Sequence, residues 1–164
     1  FEAKLKIADS WYNIGNSNKA IEVYDDVFVH AIEYTNILNA LHGLQWGYEA
    51  MNNYDKMLDV TLQYIRRFSK AETDLEVILK LGDIYFRQQN YVSAITEYEK
   101  IIKLFPNTLE ILKAQYQIGE CNYKMGNLES ALQNLKLISE SNSESEFVEM
   151  ARDRIKTILA EKLQ

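Results

Sequence analysis

Cysteine occurs once in this chain of 164 residues, as Cys121, and proline once, as Pro106. A lone thiol excludes an internal disulfide framework and cysteine-rich metal sites. One proline and six glycines are too few breakers for a loop-rich or all-β protein. Disorder is excluded as well, because 47% of the residues are hydrophobic. No block of lysine and arginine occurs, and the net charge is −6. Nucleic acid, which demands a basic footprint, is therefore not an expected partner. No apolar run approaches the ~18–20 residues that cross a bilayer as a helix, so no transmembrane segment is expected in this chain. The chain opens on Phe1 rather than methionine, as a mature form or an excised piece of a longer protein would. Long helices joined by short turns fit this composition.

What is present is repetition. The segments NIGNSNKAI, AMNNYDKML, RQQNYVSAI and KMGNLESAL align without gaps at a spacing of 37, with Asn16, Asn53, Asn90 and Asn127 in register. Ile7, Leu44, Leu81 and Ile118 form a second column, each followed by Ala8, Gln45, Gly82 or Gly119. Trp11, Tyr48 and Tyr85 align, with Asn122 in the fourth copy. Downstream come Ala20, Met57, Ala94 and Ala131, then Tyr24, Thr61, Tyr98 and Leu135, then Val27, Tyr64, Ile101 and Ile138.

Before each asparagine, apolar residues recur three and four apart, as in Ile78, Leu81 and Tyr85. After it they do so again, as in Ala94, Ile95, Tyr98, Ile101 and Ile102. Both runs read as amphipathic helices, so each copy is a helix–turn–helix. Gly15 and Gly126 stand where a left-handed residue would stop the first helix, and Asn52 and Gln89 fill that place in the other copies. Thr73 with Glu76, Asn107 with Glu110, and Ser143 with Glu146 have the spacing of helix-start capping pairs. Phe105-Pro106 should end a helix, because proline disfavours the α conformation just before it. Ser145 to Leu163 carries a last amphipathic helix, with Phe147, Ala151, Ile155 and Leu159 on one stripe.

The order Leu81-Gly82, Tyr85, Ala94, Tyr98, Ile101, Pro106 resembles the tetratricopeptide repeat, and the resemblance covers residues ~1–142. It implies an all-α fold: a right-handed solenoid of about four helix–turn–helix repeats, period 37, plus a C-terminal capping helix. The repeats are expected at about 1–35, 36–72, 73–106 and 107–142 and the cap at 143–164, as a single array. The usual period is ~34 residues. The longer period and the stretch FPNTLEILKAQYQIGECNYKMGNLESAL resemble the envelope branch of the family, the outer-membrane-assembly lipoproteins and Tol–Pal-associated periplasmic proteins. That branch implies the bacterial periplasm or cell envelope rather than the cytoplasm. The second copy departs from the pattern at Gln45, Met57 and Thr61, with Gly43 and Gly47 flanking Gln45. Those changes read either as local repacking or as a hinge at residues 40–60.

The same resemblance implies that first helices line a concave groove. Carried onto this chain, its rows are Leu5, His42, Leu79 and Tyr116; Asp9, Trp46, Asp83 and Glu120; Tyr12, Glu49, Phe86 and Tyr123; and Asn13, Ala50, Arg87 and Lys124. The candidate partner contacts are Tyr12, His42, Trp46, Leu79, Asp83, Phe86, Arg87, Tyr116, Tyr123 and Lys124. Trp46 either anchors a partner or packs on the adjacent helix, filling space left by Gly43. Arg87 and Lys124 either hold a carboxylate or are neutralised by Asp83 and Glu120 one turn earlier. The clamp of chaperone-binding members wants asparagine where this chain has Asp9 and Trp46, so a carboxyl-terminal chaperone tail is not the expected ligand.

His30 and His42 lack a second histidine at metal-ligand spacing, and Cys121 reads as a small buried residue. No phosphate loop or nucleophile elbow appears. No metal, cofactor or enzymatic activity is expected. Tyr24, Tyr48, Tyr64, Tyr85 and Tyr98 fall in columns that pack between helices. The expected function is a non-enzymatic scaffold that binds a protein or peptide partner in the groove, within a bacterial cell-envelope assembly. The alternative is a structural module that self-assembles or docks through its ends or convex face.

Overall fold

A computed structural model describes residues 1–68, 74–106, 108–141 and 143–163. Among these the chain is all-α. The helices are α1 (Glu2–Asn13), α2 (Ser17–His30), α3 (Tyr34–Ala50), α4 (Tyr54–Arg67), α5 (Leu75–Arg87), α6 (Tyr91–Leu104), α7 (Glu110–Lys124), α8 (Leu128–Ser139) and α9 (Glu146–Glu161). They make four helix–turn–helix pairs and a final single helix. The chain divides into two units, Phe1–Glu72 and Thr73–Gln164.

The turn inside each pair is built one way four times. Gly15, Asn52, Gln89 and Gly126 all have positive φ, at 80°, 53°, 61° and 79°. The next residue is always the column asparagine. Its N–H reaches back five residues to the carbonyl of Trp11, Tyr48, Tyr85 or Asn122, at 2.8–2.9 Å. That bond satisfies a carbonyl the helix end would leave open. The side chains of Asn16, Asn53 and Asn90 then accept from the N–H of Lys19, Lys56 and Ser93 at 3.2, 3.2 and 3.3 Å, capping the second helix. One residue therefore closes one helix and opens the next. Asn127 makes no such cap bond.

The helix starts between pairs differ from the sequence expectation. Thr73 and Asn107 lie outside the described residues. Asp74 caps α5, accepting from the N–H of Glu76 and Val77 at 3.0 and 3.3 Å. Leu109 precedes α7 and gives no side-chain cap. At α9 the cap is Ser145, which accepts from Phe147 N–H at 3.4 Å, and not Ser143. Ser143 sits two residues too early, where its hydroxyl takes the N–H of Ser145.

In the first unit, α3 lies against α2. A methyl group at Gly43 would collide with the Tyr24 ring, and one at Gly47 would meet Ile21 Cγ1 at 2.5 Å. The glycines of the second copy thus admit α2, and α3 runs unbroken through them. Buried Gln45 donates to Thr61 Oγ1 at 2.9 Å, and Thr61 donates to the Met57 carbonyl at 2.8 Å. Both polar substitutions of that copy are therefore hydrogen-bonded, as burial demands. At the start of the unit Ile7 is 51% exposed, whereas its column mate Leu44 is 0% exposed. The difference is one of position: α2 lies over α3, while that side of α1 faces solvent.

In the second unit, Ala94, Tyr98 and Ile101 of α6 pack with Ala114, Ile118 and Cys121 of α7. A methyl at Gly82 would stand 2.6 Å from Tyr98 Cε1, and one at Gly119 would stand 2.9 Å from Leu135. Val148, Ala151 and Ile158 of α9 complete a core with Ala131, Leu132, Leu135 and Ile138 of α8. The final helix is thus anchored by side chains that are almost wholly buried.

Candidate functional site

Each unit presents a face made by its first helices. In the first unit α3 carries two offset i,i+4 pairs. Gly43 and Gly47 turn inward to α2, and His42 and Trp46 fall one residue away, on the adjoining side. The rings of His42 and Trp46 are 6.4 Å apart, and Tyr12 of α1 stands 6.3 Å from Trp46. Trp46 is 48% exposed. It therefore rests on the adjacent helix through Tyr12 and still leaves half its surface open.

In the second unit the acidic positions are already engaged. Asp83 on α5 accepts from the Tyr98 hydroxyl at 2.6 Å and from Lys113 of α7 at 3.2 Å. Glu120 on α7 takes a two-point pair from Arg154 of α9, at 2.6 and 2.8 Å. Arg154 also lies over the Tyr123 ring, 4.9 Å from its centre, and the Tyr123 hydroxyl donates to Glu161 at 2.7 Å. The i,i+4 pairs that would join Asp83 to Arg87 and Glu120 to Lys124 do not form. Arg87 and Lys124 are exposed, and the Arg87 charge acts on the Tyr98 hydroxyl, partly offsetting the rise in its pKa. Phe86 is half-buried and meets Tyr91 edge-on at 5.5 Å.

Two further candidates sit lower. Tyr116 is buried in the α8–α9 core beside Phe147, 5.9 Å between rings, so it supports the face. Leu79 packs against the α5–α6–α7 core. The face of the second unit thus offers Phe86, Arg87, Tyr123 and Lys124.

The electrostatics follow from these partners. Burial, then Asp9, pushes the Tyr24 hydroxyl pKa well above its ordinary 10, and burial, then Asp83, does the same to Tyr98. The hydrogen bond to Glu120 raises the Arg154 pKa. Burial pushes the Cys121 thiol up to about 12, which leaves it an unreactive core group. His30 is exposed, its Nδ1 2.9 Å from the Asp26 carbonyl. Among the described residues no group of histidine, cysteine and carboxylate side chains could hold a metal ion. No described helix is long and apolar enough to cross a membrane.

Sequence reasoning missed Lys113, Arg154 and Glu161 as partners of the face. Arg154 and Glu161 lie beyond the four copies, so no column pointed to them. The link from tyrosine to aspartate had a signal: Asp9 to Tyr24 and Asp83 to Tyr98 are both 15 residues apart.

The tetratricopeptide repeat family matches residues 2–28 and again 74–140, together more than half the chain. Among curated proteins none matches the sequence. Several solved structures share the fold. A candidate kinesin light chain of Podosopora anserina with nearly identical TPR-like repeats is 14% identical, with a TM-score of 0.72 over 97% of this chain and 85% of that one. A thermophilic TPR protein of Thermus thermophilus is 18% identical, with a TM-score of 0.65 over 97% and 81%. PcrH, solved with the chaperone binding region of PopD, is 15% identical, with a TM-score of 0.62 over 82% and 99%. At these identities the likeness concerns the fold.

Proposed function

Because the chain belongs to the tetratricopeptide repeat family, we propose that it is a non-enzymatic scaffold that binds a peptide or partner helix on its first-helix faces. The observation that carries this reading is Trp46, held between Tyr12 and His42 and 48% exposed. A large ring kept at the surface by neighbours that fix its orientation is what a binding anchor requires. Among proteins of this fold, PcrH is seen with a segment of another protein bound. The setting we assign is a bacterial cell-envelope assembly in the periplasm, on the strength of the proline junction and the long period. Fractionation of the native host tests that assignment. Partners recovered by affinity purification should bind the Trp46→Ala, Phe86→Ala variant at least ~10-fold more weakly. Unchanged affinity in a folded double variant overturns the placement.

A second reading has its own observation. Ile7 on α1 and Ile14 just past its end are 51% and 70% exposed, although the Ile7 column is buried elsewhere in the array. An apolar helix face of this kind suits end-on docking, including of a second copy. Sedimentation of the wild-type and Ile7→Lys proteins over a range of concentrations decides it. A strict monomer excludes self-association.

A further inference from the structure

We infer that the outward row of α1 takes one amphipathic helix of another protein, an inference that rests on the end-on reading of α1. That helix carries a small residue, then tyrosine or leucine four positions on, then valine or isoleucine three further. The row it meets is Ala3, Ile7 and Ser10, all exposed.

The covered copies specify this occupant. One period of 37 beyond the row stand Ala40, Leu44 and Gly47 of α3, all buried. Three periods beyond it stand Ala114, Ile118 and Cys121 of α7, buried as well. In each case the second helix of the preceding copy does the covering. Tyr24 and Ile21 of α2 lie where a methyl group on Gly43 or Gly47 would strike them. Ala94, Tyr98 and Ile101 of α6 share a core with the α7 row. Ala131, Leu135 and Ile138 of α8 do the same for Ala151 and Ile158 of α9. One interface thus recurs three times, as expected where each repeat meets its neighbour in the same way. On α1 the first-helix half of that interface is open to solvent.

Lys6 beside the row does not block it. Lys6 stands in the column of Gly43, and that column holds Arg154 on α9. Arg154 coexists with the packed α8 by turning its guanidinium to Glu120. A long polar side chain in this column is therefore compatible with cover.

The first and last helices differ in the same terms. Where Ala8, Gln45, Gly82 and Gly119 stand in the earlier copies, α9 has Lys156, exposed and paired with Asp153 at 2.8 Å. A charge in a packing column gives a repeat array a polar outer face. The α1 row carries no charge and keeps the form of a covered helix. A folded second copy has no suitable helix to offer. The row that would fit is Ala20, Tyr24 and Val27 on α2, and it and its counterparts on α4, α6 and α8 are all buried.

The test uses a synthetic fluorescein-labelled peptide of the α6 sequence, Tyr91–Leu104, held helical by a lactam bridge on its polar side. Titrated with the full chain, it should bind saturably. The same peptide with Tyr98→Lys should bind at least ~10-fold more weakly. In the protein, Ile7→Lys and Ser10→Arg should each weaken the α6 peptide at least ~10-fold. Ile14→Lys should leave binding unchanged, because the Ile14 column is exposed at Met51 too. Circular dichroism should show wild-type helix content in all three variants, since the altered side chains are exposed. Absence of saturable binding overturns the inference. So does binding that ignores Tyr98→Lys in the peptide, or that survives both Ile7→Lys and Ser10→Arg. Sedimentation of the chain alone, expected to be a monomer, separates this inference from the broader reading. A dimer that Ile7→Lys dissociates keeps end-on docking but makes the occupant a second copy, which overturns this inference alone. A monomer that binds no such helix removes both.

Discussion

The Tyr98 hydroxyl donates to Asp83 at 2.6 Å from 15 residues downstream, and Tyr24 stands in the same relation to Asp9 at 2.5 Å. The second and fourth copies lack the tyrosine, and both lack the aspartate. Where Thr61 replaces tyrosine, Trp46 takes the acid's place and turns outward. Where Leu135 replaces it, Glu120 is released to pair with Arg154. The two columns change together because a buried hydroxyl needs an acceptor, and an acceptor without a hydroxyl is available for other work.

This pairing gives the protein an alkaline limit. Burial first, and then the aspartates, hold both tyrosines protonated in the folded state well above their ordinary value of 10. In the unfolded chain they ionise near pH 10. The raised folded values therefore contribute stability that is complete below about pH 10 and lost as pH rises beyond it. Cys121, pushed up to about 12 by burial, adds a loss that begins near pH 9. Urea midpoints should stay level from about pH 7 to 8.5 and fall steeply by about pH 11. The Tyr24→Phe, Tyr98→Phe variant should fall less steeply. An equal slope in that variant refutes the account.

Packing across the repeat follows a second complementary pair of columns. Gly82 receives the Tyr98 ring and Gly119 receives Leu135, whereas in the second copy Gln45 faces the small Thr61. Thr61→Tyr alone should overpack this contact and cost about 1–3 kcal/mol. Gln45→Gly, Thr61→Tyr together restore the glycine–tyrosine packing of the third copy, without the aspartate that takes its hydroxyl, and should recover part of the loss. Chemical denaturation of the single and double variants measures the coupling. Strictly additive effects would show that the two columns are independent.

These columns also show what could be read from the sequence. The helix pairs, the turn positions and the buried column members follow from a period repeated four times, because each copy meets nearly the same neighbours. The left-handed residues at Asn52 and Gln89 were legible for the same reason. The dual role of the column asparagines was not, since one residue type suits both a turn and a cap. The exposure of Ile7 was hidden because periodicity does not record which copy comes first. The ligation of Glu120 by Arg154 depends on a helix outside the repeats, so no column could carry it. That pair is also why the neutralisation of Lys124 by Glu120, one of the two readings of the sequence, does not occur.

The turns predict the simplest stabilisation. Gln89 holds φ at 61°, a conformation that costs a side chain about 1–2 kcal/mol and glycine almost nothing. Gln89→Gly should therefore stabilise the fold by about 0.5–1 kcal/mol after glycine's greater unfolded-state freedom is subtracted. The reverse change at the equivalent position, Gly126→Gln, should cost a similar amount. Thermal or urea denaturation reads both. Opposite signs would mean that the turns are not held in this conformation in solution.

Glu120 and Arg154 provide the sharpest test of how α9 is fixed. The pair is two-pointed, and the Glu120 side chain is only 9% exposed against 28% for Arg154. Removing one member leaves the other without its partner, and the penalty falls on the more buried one. Arg154→Met should therefore destabilise by about 2–4 kcal/mol, because Glu120 is then left desolvated and uncompensated. Glu120→Gln should cost less, since arginine reaches solvent and the amide can still accept one hydrogen bond. Glu120→Met, Arg154→Met replaces the pair by apolar side chains of similar reach and should be more stable than Arg154→Met alone. Tyr123 gives an independent readout, because its ring underlies the guanidinium and its hydroxyl bonds Glu161. Loss of Arg154 should alter the near-ultraviolet circular dichroism of tyrosine while helical content stays constant, since Val148, Ala151 and Ile158 keep α9 in place. If Arg154→Met instead unfolds α9, as hydrogen exchange of residues 146–161 would reveal, the ion pair rather than the apolar stripe holds that helix to the array.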